Sequence, residues 1–127
     1  MRNGNLYIDT NIISTLLAIS SSEQEKGLMH QPWPPPVMTF VYSSPKFSKF
    51  WMKNTPSPLD IIFCCDNKIV EICKGEPHST NLVGTQLSDL VVELPFGTAN
   101  KLGLGIGSRV GLVNPSLEEL KKIMGNF

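Results

Sequence analysis

Two apolar runs, Leu59 to Cys65 and Lys68 to Cys73, flank the dipeptide Asp66-Asn67. Both turn residues tolerate positive φ, so the segment reads as a β-hairpin with a two-residue loop. Because side chains alternate along a strand, the turn also decides which residues become neighbours. It pairs Cys65 with Lys68, Cys64 with Ile69, Phe63 with Val70, Ile62 with Glu71, Ile61 with Ile72 and Asp60 with Cys73. One face of this hairpin is then Ile61, Phe63, Val70 and Ile72, a core face. The other carries Asp60, Ile62, Cys64, Ile69, Glu71 and Cys73, placing two acids and two thiols together.

Other segments follow the same reading. Ile12 to Ile19 is rich in β-branched residues and is expected to be a strand. Ser20 or Ser21 then caps a short helix with acids in its first turn, closed by Gly27-Leu28-Met29. Gln31 to Pro36 is held extended by its prolines and reads as a covering loop. Val37–Tyr42, Phe47–Asn54, Leu90–Leu94 and Arg109–Val113 complete a set of about seven short strands, with Thr98 to Leu104 one helical turn or irregular. At the end, Asn114 can cap a helix, with Pro115 in its first position and Ser116 and Glu119 at capping-box spacing. Leu117, Leu120, Ile123 and Met124 share one face of that helix. With no repeat and no linker, the expectation is one domain over residues 1–127. Its fold class is mainly β (α+β), a small barrel-like or folded antiparallel sheet with one short N-terminal helix and one C-terminal helix.

Composition excludes several classes of function. Lysine plus arginine equals aspartate plus glutamate, 11 against 11, so the chain lacks the long-range field that draws proteins to nucleic acid or anionic membranes. The apolar stretch near the N-terminus is too short to span a bilayer and carries no small-residue cleavage site. The three cysteines, Cys64, Cys65 and Cys73, form no CxxC pair and read as free thiols, so the expected location is cytoplasmic. His30 and His78 have no second ligand at metal spacing, and the glycines at 103, 105 and 107 do not have the spacing of a dinucleotide fingerprint. No cofactor and no metal are expected.

The candidate site residues are Trp51, Lys53, Asn54, Asp60 and Glu93. In a strand over Phe47–Asn54, Trp51 and Lys53 share one face and could hold a flat or anionic ligand; packing of the lysine stem over the ring is the plainer alternative. Asp60 could be a base or an acceptor for a ligand. Equally, it could tether the turn around Pro56 and Pro58 through backbone amides, the reading favoured for an acid beside a proline turn.

The run Phe50-Trp51-Met52-Lys53-Asn54-Thr55 followed by Pro58-Leu59-Asp60-Ile61 is specific. With Gly27-Leu28-Met29 upstream, and Val91-Val92-Glu93-Leu94 then Gly97 downstream, it resembles the prokaryotic family called domain of unknown function 192. The shared motifs span about residues 14–113, which leaves 114–127 as an appended helix. The resemblance implies a mainly β domain with a barrel-like core and brings no established activity. This chain departs from the family pattern at Lys26, where arginine is usual, at His30-Gln31, at Val37, and at Ser108, where an aspartate is usual.

Three functions stay open on this reading. The first is a small soluble binding domain whose polar site draws on Trp51, Lys53, Asn54, Asp60 and Glu93, with a small-molecule or protein partner, working as a monomer or weak oligomer. The second is an assembly module acting through the Trp33 proline loop and the C-terminal helix. The third is a hydrolase using Asp60 or Glu93 as general base, its catalytic residues otherwise unknown.

Overall fold

Seven strands form one sheet in the order β5-β4-β6-β3-β2-β1-β7, in a computed structural model that describes residues 1–124 and side chains through residue 122. The strands are β1 (Arg2–Ile8), β2 (Asn11–Ala18), β3 (Met38–Phe47), β4 (Leu59–Cys65), β5 (Lys68–Gly75), β6 (Leu87–Pro95) and β7 (Val110–Asn114). Three short helices accompany them: α1 (Ser21–Lys26), α2 (Thr98–Lys101) and α3 (Leu117–Met124). All neighbours are antiparallel except β2 and β3. That parallel pair needs a crossover, and residues 19–37 supply it, carrying α1 and the proline loop across one face of the sheet.

The sheet curls into a half-barrel until its two edges touch. Lys68 of β5 bridges Arg109 just before β7, the Ile69 amide donates to the Ser108 carbonyl at 2.8 Å, and the Gly107 amide donates to Ile69 at 2.8 Å. The glycines at 103 and 107 adopt positive φ and turn the chain into this closing contact. One face of the sheet buries Leu6, Ile8, Leu17, Ile62, Cys64, Val92, Leu94 and Val110, with Leu120 of α3 packed on it. The opposite face buries Leu28, Met38, Phe40, Met52, Leu59, Ile61, Phe63 and Val91 beneath the crossover and the loops. Burial of this kind contributes about 25 cal/mol per Å² of apolar surface, the main term holding such a fold.

Three expectations need correction, and one strand has no counterpart in the sequence reading. The Arg2–Ile8 segment, whose Asn- and Gly-rich sequence hides its alternation, is a central strand between β2 and β7. The Phe47–Asn54 segment is not a strand: after Phe47 it makes a single bridge, Phe50 with Val83, and then turns. Asn54 there takes a left-handed φ of 56°, and Met52 is buried against Gly75, so tertiary packing overrides the local β preference. In the hairpin, the register shifts between Phe63 and Cys64, so Phe63 faces Glu71, Ile62 faces Ile72, Ile61 faces Cys73 and Asp60 faces Lys74. A bulge at Val70 inserts one residue and moves Glu71 and Cys73 to the face opposite Asp60. Finally, α3 starts at Leu117 with Ser116 as its cap, the Ser116 hydroxyl accepting from the Glu119 amide at 3.1 Å, while Asn114 still pairs with Asn5 in the sheet. The expected facing of Ile123 and Met124 lies outside the described side chains.

Candidate functional site

The crossover helix roofs a cavity on the second face. Its start is a capping box: the Ser20 hydroxyl accepts from the Glu23 amide, and the Glu23 carboxylate accepts from the amides of Ser20 and Ile19. Those amides hold the Glu23 carboxyl below its ordinary range. The Gln24 side-chain amide donates to the carbonyls of Ala18 and Val41, 3.1 Å each, and so fastens α1 across β2 and β3. The helix closes at Gly27, φ +50°, where a Cβ would lie 3.5 Å from the Phe40 ring and 3.8 Å from Glu93 Oε1. Beneath it, β3 contributes Phe40 and Tyr42, two residues apart and therefore on one face. Glu93 of β6 joins them because it pairs with Met38 on one side and Ile61 on the other. The segment after β3 adds Ser48, Lys49, Phe50 and Trp51.

Together these residues enclose about 360 Å³. The walls are aromatic: Phe50 meets Phe40 edge-on at 4.9 Å and Phe63 at 5.6 Å. Two polar groups on these walls lack partners. Glu93 is 4% exposed and no hydrogen bond from the described residues reaches its carboxyl, although the Ser48 hydroxyl is the one fully buried side-chain atom among them without a partner. Burial alone pushes that carboxyl up to about 8, so at neutral pH it is mostly a neutral acid able both to donate and to accept. Ser48 is 8% exposed and its hydroxyl has no hydrogen-bond partner. The Tyr42 hydroxyl is pushed up by its own burial, and further by Glu93; Ser48 sits close enough to offset part of that shift without reaching hydrogen-bonding geometry. At the mouth stand Lys26, Lys46, with its ammonium 4.5 Å over the Tyr42 ring, and Lys49, which donates to the Gly84 carbonyl at 3.1 Å.

The five residues singled out from the sequence separate. Glu93 and Trp51 both line the cavity, Glu93 deep and Trp51 at the edge, 44% exposed. Lys53 is exposed and lies 5.3 Å over the outer Trp51 ring, outside the cavity. Asn54 is exposed and makes a turn, its carbonyl accepting from the His30 amide at 2.7 Å. Asp60 is buried on the other face of the sheet, where one carboxylate oxygen accepts from the amides of Gly97 (3.1 Å) and Ala99 (2.9 Å) at the start of α2. The expected meeting of Trp51 and Asp60 is therefore absent. Tyr42 and Phe40 had a signal, their two-residue spacing in an expected strand; Ser48 and the three lysines had none. Among the described residues no group of three or more His, Cys, Asp or Glu could hold a metal ion, and no helix is long and apolar enough to cross a membrane.

The comparisons agree with this architecture. A protein of Sinorhizobium meliloti 1021, described as a "putative transcription regulator", is 30% identical and superposes with a TM-score of 0.81 over 87% of this chain and 94% of its own. A protein of unknown function from Novosphingobium aromaticivorans DSM 12444 is also 30% identical, with a TM-score of 0.77 over 84% of this chain and 82% of its own. No curated protein matches the chain. A family model described as an uncharacterized ACR, DUF192, matches residues 5–112, and the chain belongs to that family, for which no specific function is established.

Proposed function

We propose that this domain binds a small organic ligand in the cavity between α1, β3, β6 and the Ser48–Trp51 segment. The observation that supports it is the Glu93 carboxyl, buried on the cavity wall with no protein partner among the described residues. On the same wall the Ser48 hydroxyl is fully buried and unpaired, which costs about 1–3 kcal/mol, and a ligand that completes its hydrogen bond recovers that energy on binding. Aromatic walls with a few converging polar groups are the usual make-up of such a site.

A binding role is favoured over hydrolysis for two reasons. Asp60 already accepts two amides and does not line this cavity, so it has no free role as a base there. Glu93, pushed up to about 8, has the environment a general acid or base would need, but no histidine or cysteine lines the cavity beside it to share such a step. The three free thiols favour a reducing, cytoplasmic setting, and the domain works as a monomer or weak oligomer on this reading.

The test is a fragment screen followed by amide chemical shifts. Hits are expected to perturb Gly27, Tyr42, Ser48 and Glu93, and to lose binding in Glu93→Leu. Hits that map elsewhere, or that bind Glu93→Leu equally well, contradict the proposal.

A further inference from the structure

Resting on that reading, we infer that the ligand is a small organic anion, its charged end at the lysines of the mouth and a hydrogen-bonding group deep in the cavity against Glu93 and Ser48. The charge on the lining is one-sided. Lys26, Lys46 and Lys49 all stand there, and among the described residues none of the three lies within ion-pair distance of a carboxylate. Lys46 rests over the Tyr42 ring and Lys49 on the Gly84 carbonyl, so both ammonium groups are held near the opening by contacts that leave their charge uncompensated. Besides Glu93, the only acid on the lining is Glu25.

The deep end has a different character. Glu93 and Ser48 are each more than nine-tenths buried, and the Ser48 hydroxyl is unpartnered. With Glu93 protonated, the two groups offer two donors and two acceptors without charge, a fit for a hydroxyl, carbonyl or phenol. Between the ends, Phe40, Tyr42, Phe50 and Trp51 present ring faces and edges to an apolar or aromatic body. An organic cation would find aromatic faces too, but it would have to pass three unpaired ammonium groups.

The titratable and charged groups facing the cavity are Glu25 and Lys26 from α1, Tyr42 and Lys46 from β3, Lys49 from the following segment and Glu93 from β6. Of these, Glu93 changes charge between pH 6 and 9, and its ionisation both removes a donor and adds a negative charge beneath an anionic ligand.

Three probes of one skeleton separate the possibilities: 3-(4-hydroxyphenyl)propionate, its amide, and the corresponding 3-(4-hydroxyphenyl)propylamine. Each is titrated to about 10 mM into the 15N-labelled full chain, the range expected for fragments of this size. The propionate is expected to bind at least tenfold more tightly than the amine and severalfold more tightly than the amide. Its affinity is expected to fall as pH rises through about 8. Lys26→Gln combined with Lys46→Gln is expected to lower propionate affinity about tenfold, a screening-sensitive loss for exposed charges, and to lower amide affinity severalfold less. Glu93→Gln is expected to keep propionate binding at pH 9. Tightest binding by the amine, or equal binding by the amide, overturns the anion inference while the ligand cavity stands. If none of the three shifts the cavity amides, both inferences fall.

Discussion

Asp60 and Glu93 sit on adjacent strands one residue out of step, Asp60 opposite Leu94 and Ile61 opposite Glu93, so the two acids occupy opposite faces of the same sheet. Each is nearly fully buried, yet their surroundings differ. Asp60 accepts two amide hydrogen bonds at the N-terminal end of α2, where the helix end favours negative charge. Glu93 has neither amides nor a cation beside it, and its carboxyl rises accordingly. One acid fastens the fold and the other faces a cavity.

Asp60→Ala removes the acceptor for both amides and leaves them buried. The expected loss of stability is about 2–4 kcal/mol, from two charge-assisted hydrogen bonds and the unpaired donors left behind. Urea denaturation measures it, and ligand binding in the cavity is expected to survive in the folded fraction. A loss below about 0.5 kcal/mol, the size of an ordinary surface substitution, contradicts the role assigned to Asp60.

Stability should also carry the signature of Glu93. Its folded value of about 8 lies above the ordinary 4.5, so between those limits the native state holds a proton that the unfolded state has released. Unfolding free energy therefore falls as pH rises from about 5 to 8, by a few kcal/mol in all, and levels off above. Glu23 and Glu71 act with the opposite sign, in a lower window. Backbone amides hold Glu23 below its ordinary range, and Glu71, despite a partial burial that opposes the shift, is lowered by the Thr85 and Gln86 amides and by the Cys73 and Thr85 side chains. Their stabilisation is present above about 4.5 and is lost on acidification. Denaturant midpoints measured from pH 4 to 9 are expected to show the fall in the wild type and a flatter curve in Glu93→Gln. An unchanged slope in the variant contradicts the assignment.

Gly84 locks the loop before β6 against the aromatic wall. Its φ is +114°, and a Cβ there would lie 2.5 Å from the Ser48 carbonyl oxygen and 2.9 Å from the Phe63 ring. Gly84→Ala is expected to cost at least about 2 kcal/mol, from strained backbone and overpacking together. Gly105 has an ordinary φ, and a Cβ there would meet nothing within 4 Å, so Gly105→Ala is expected to be neutral or to stabilise by up to about 1 kcal/mol. Thermal unfolding of the two variants side by side checks the contrast, and equal shifts contradict it.

Much of the fold is legible because local chemistry and tertiary structure agree. Asp66-Asn67 does turn with positive φ at both residues, and the capping box at Ser20 and Glu23 opens α1. The rest depends on contacts distant in sequence. No local rule places a bulge at Val70, yet that one extra residue decides which face Glu71 and Cys73 take. The segment from Phe47 to Asn54 has strand composition but is held by Val83, Ser79 and Gly75 from the loops beyond β5 and its end, so it wraps the cavity instead of joining the sheet. Of the candidate site, Glu93 and Trp51 are legible, since an acid inside an apolar strand and a tryptophan in a dense motif both stand out. Ser48 is not, because a serine in a polar stretch looks the same whether it caps a turn or faces a cavity.

The account depends most on Glu93 being a buried, unpaired acid, and its carboxyl can be watched directly. In a protein labelled with 13C at the glutamate carboxyl, the Glu93 resonance, assigned through Glu93→Gln, should titrate with a midpoint of about 8. A Glu93 midpoint near 4.5 would mean that the group is solvated or paired, and would contradict both the cavity site and the proposed function.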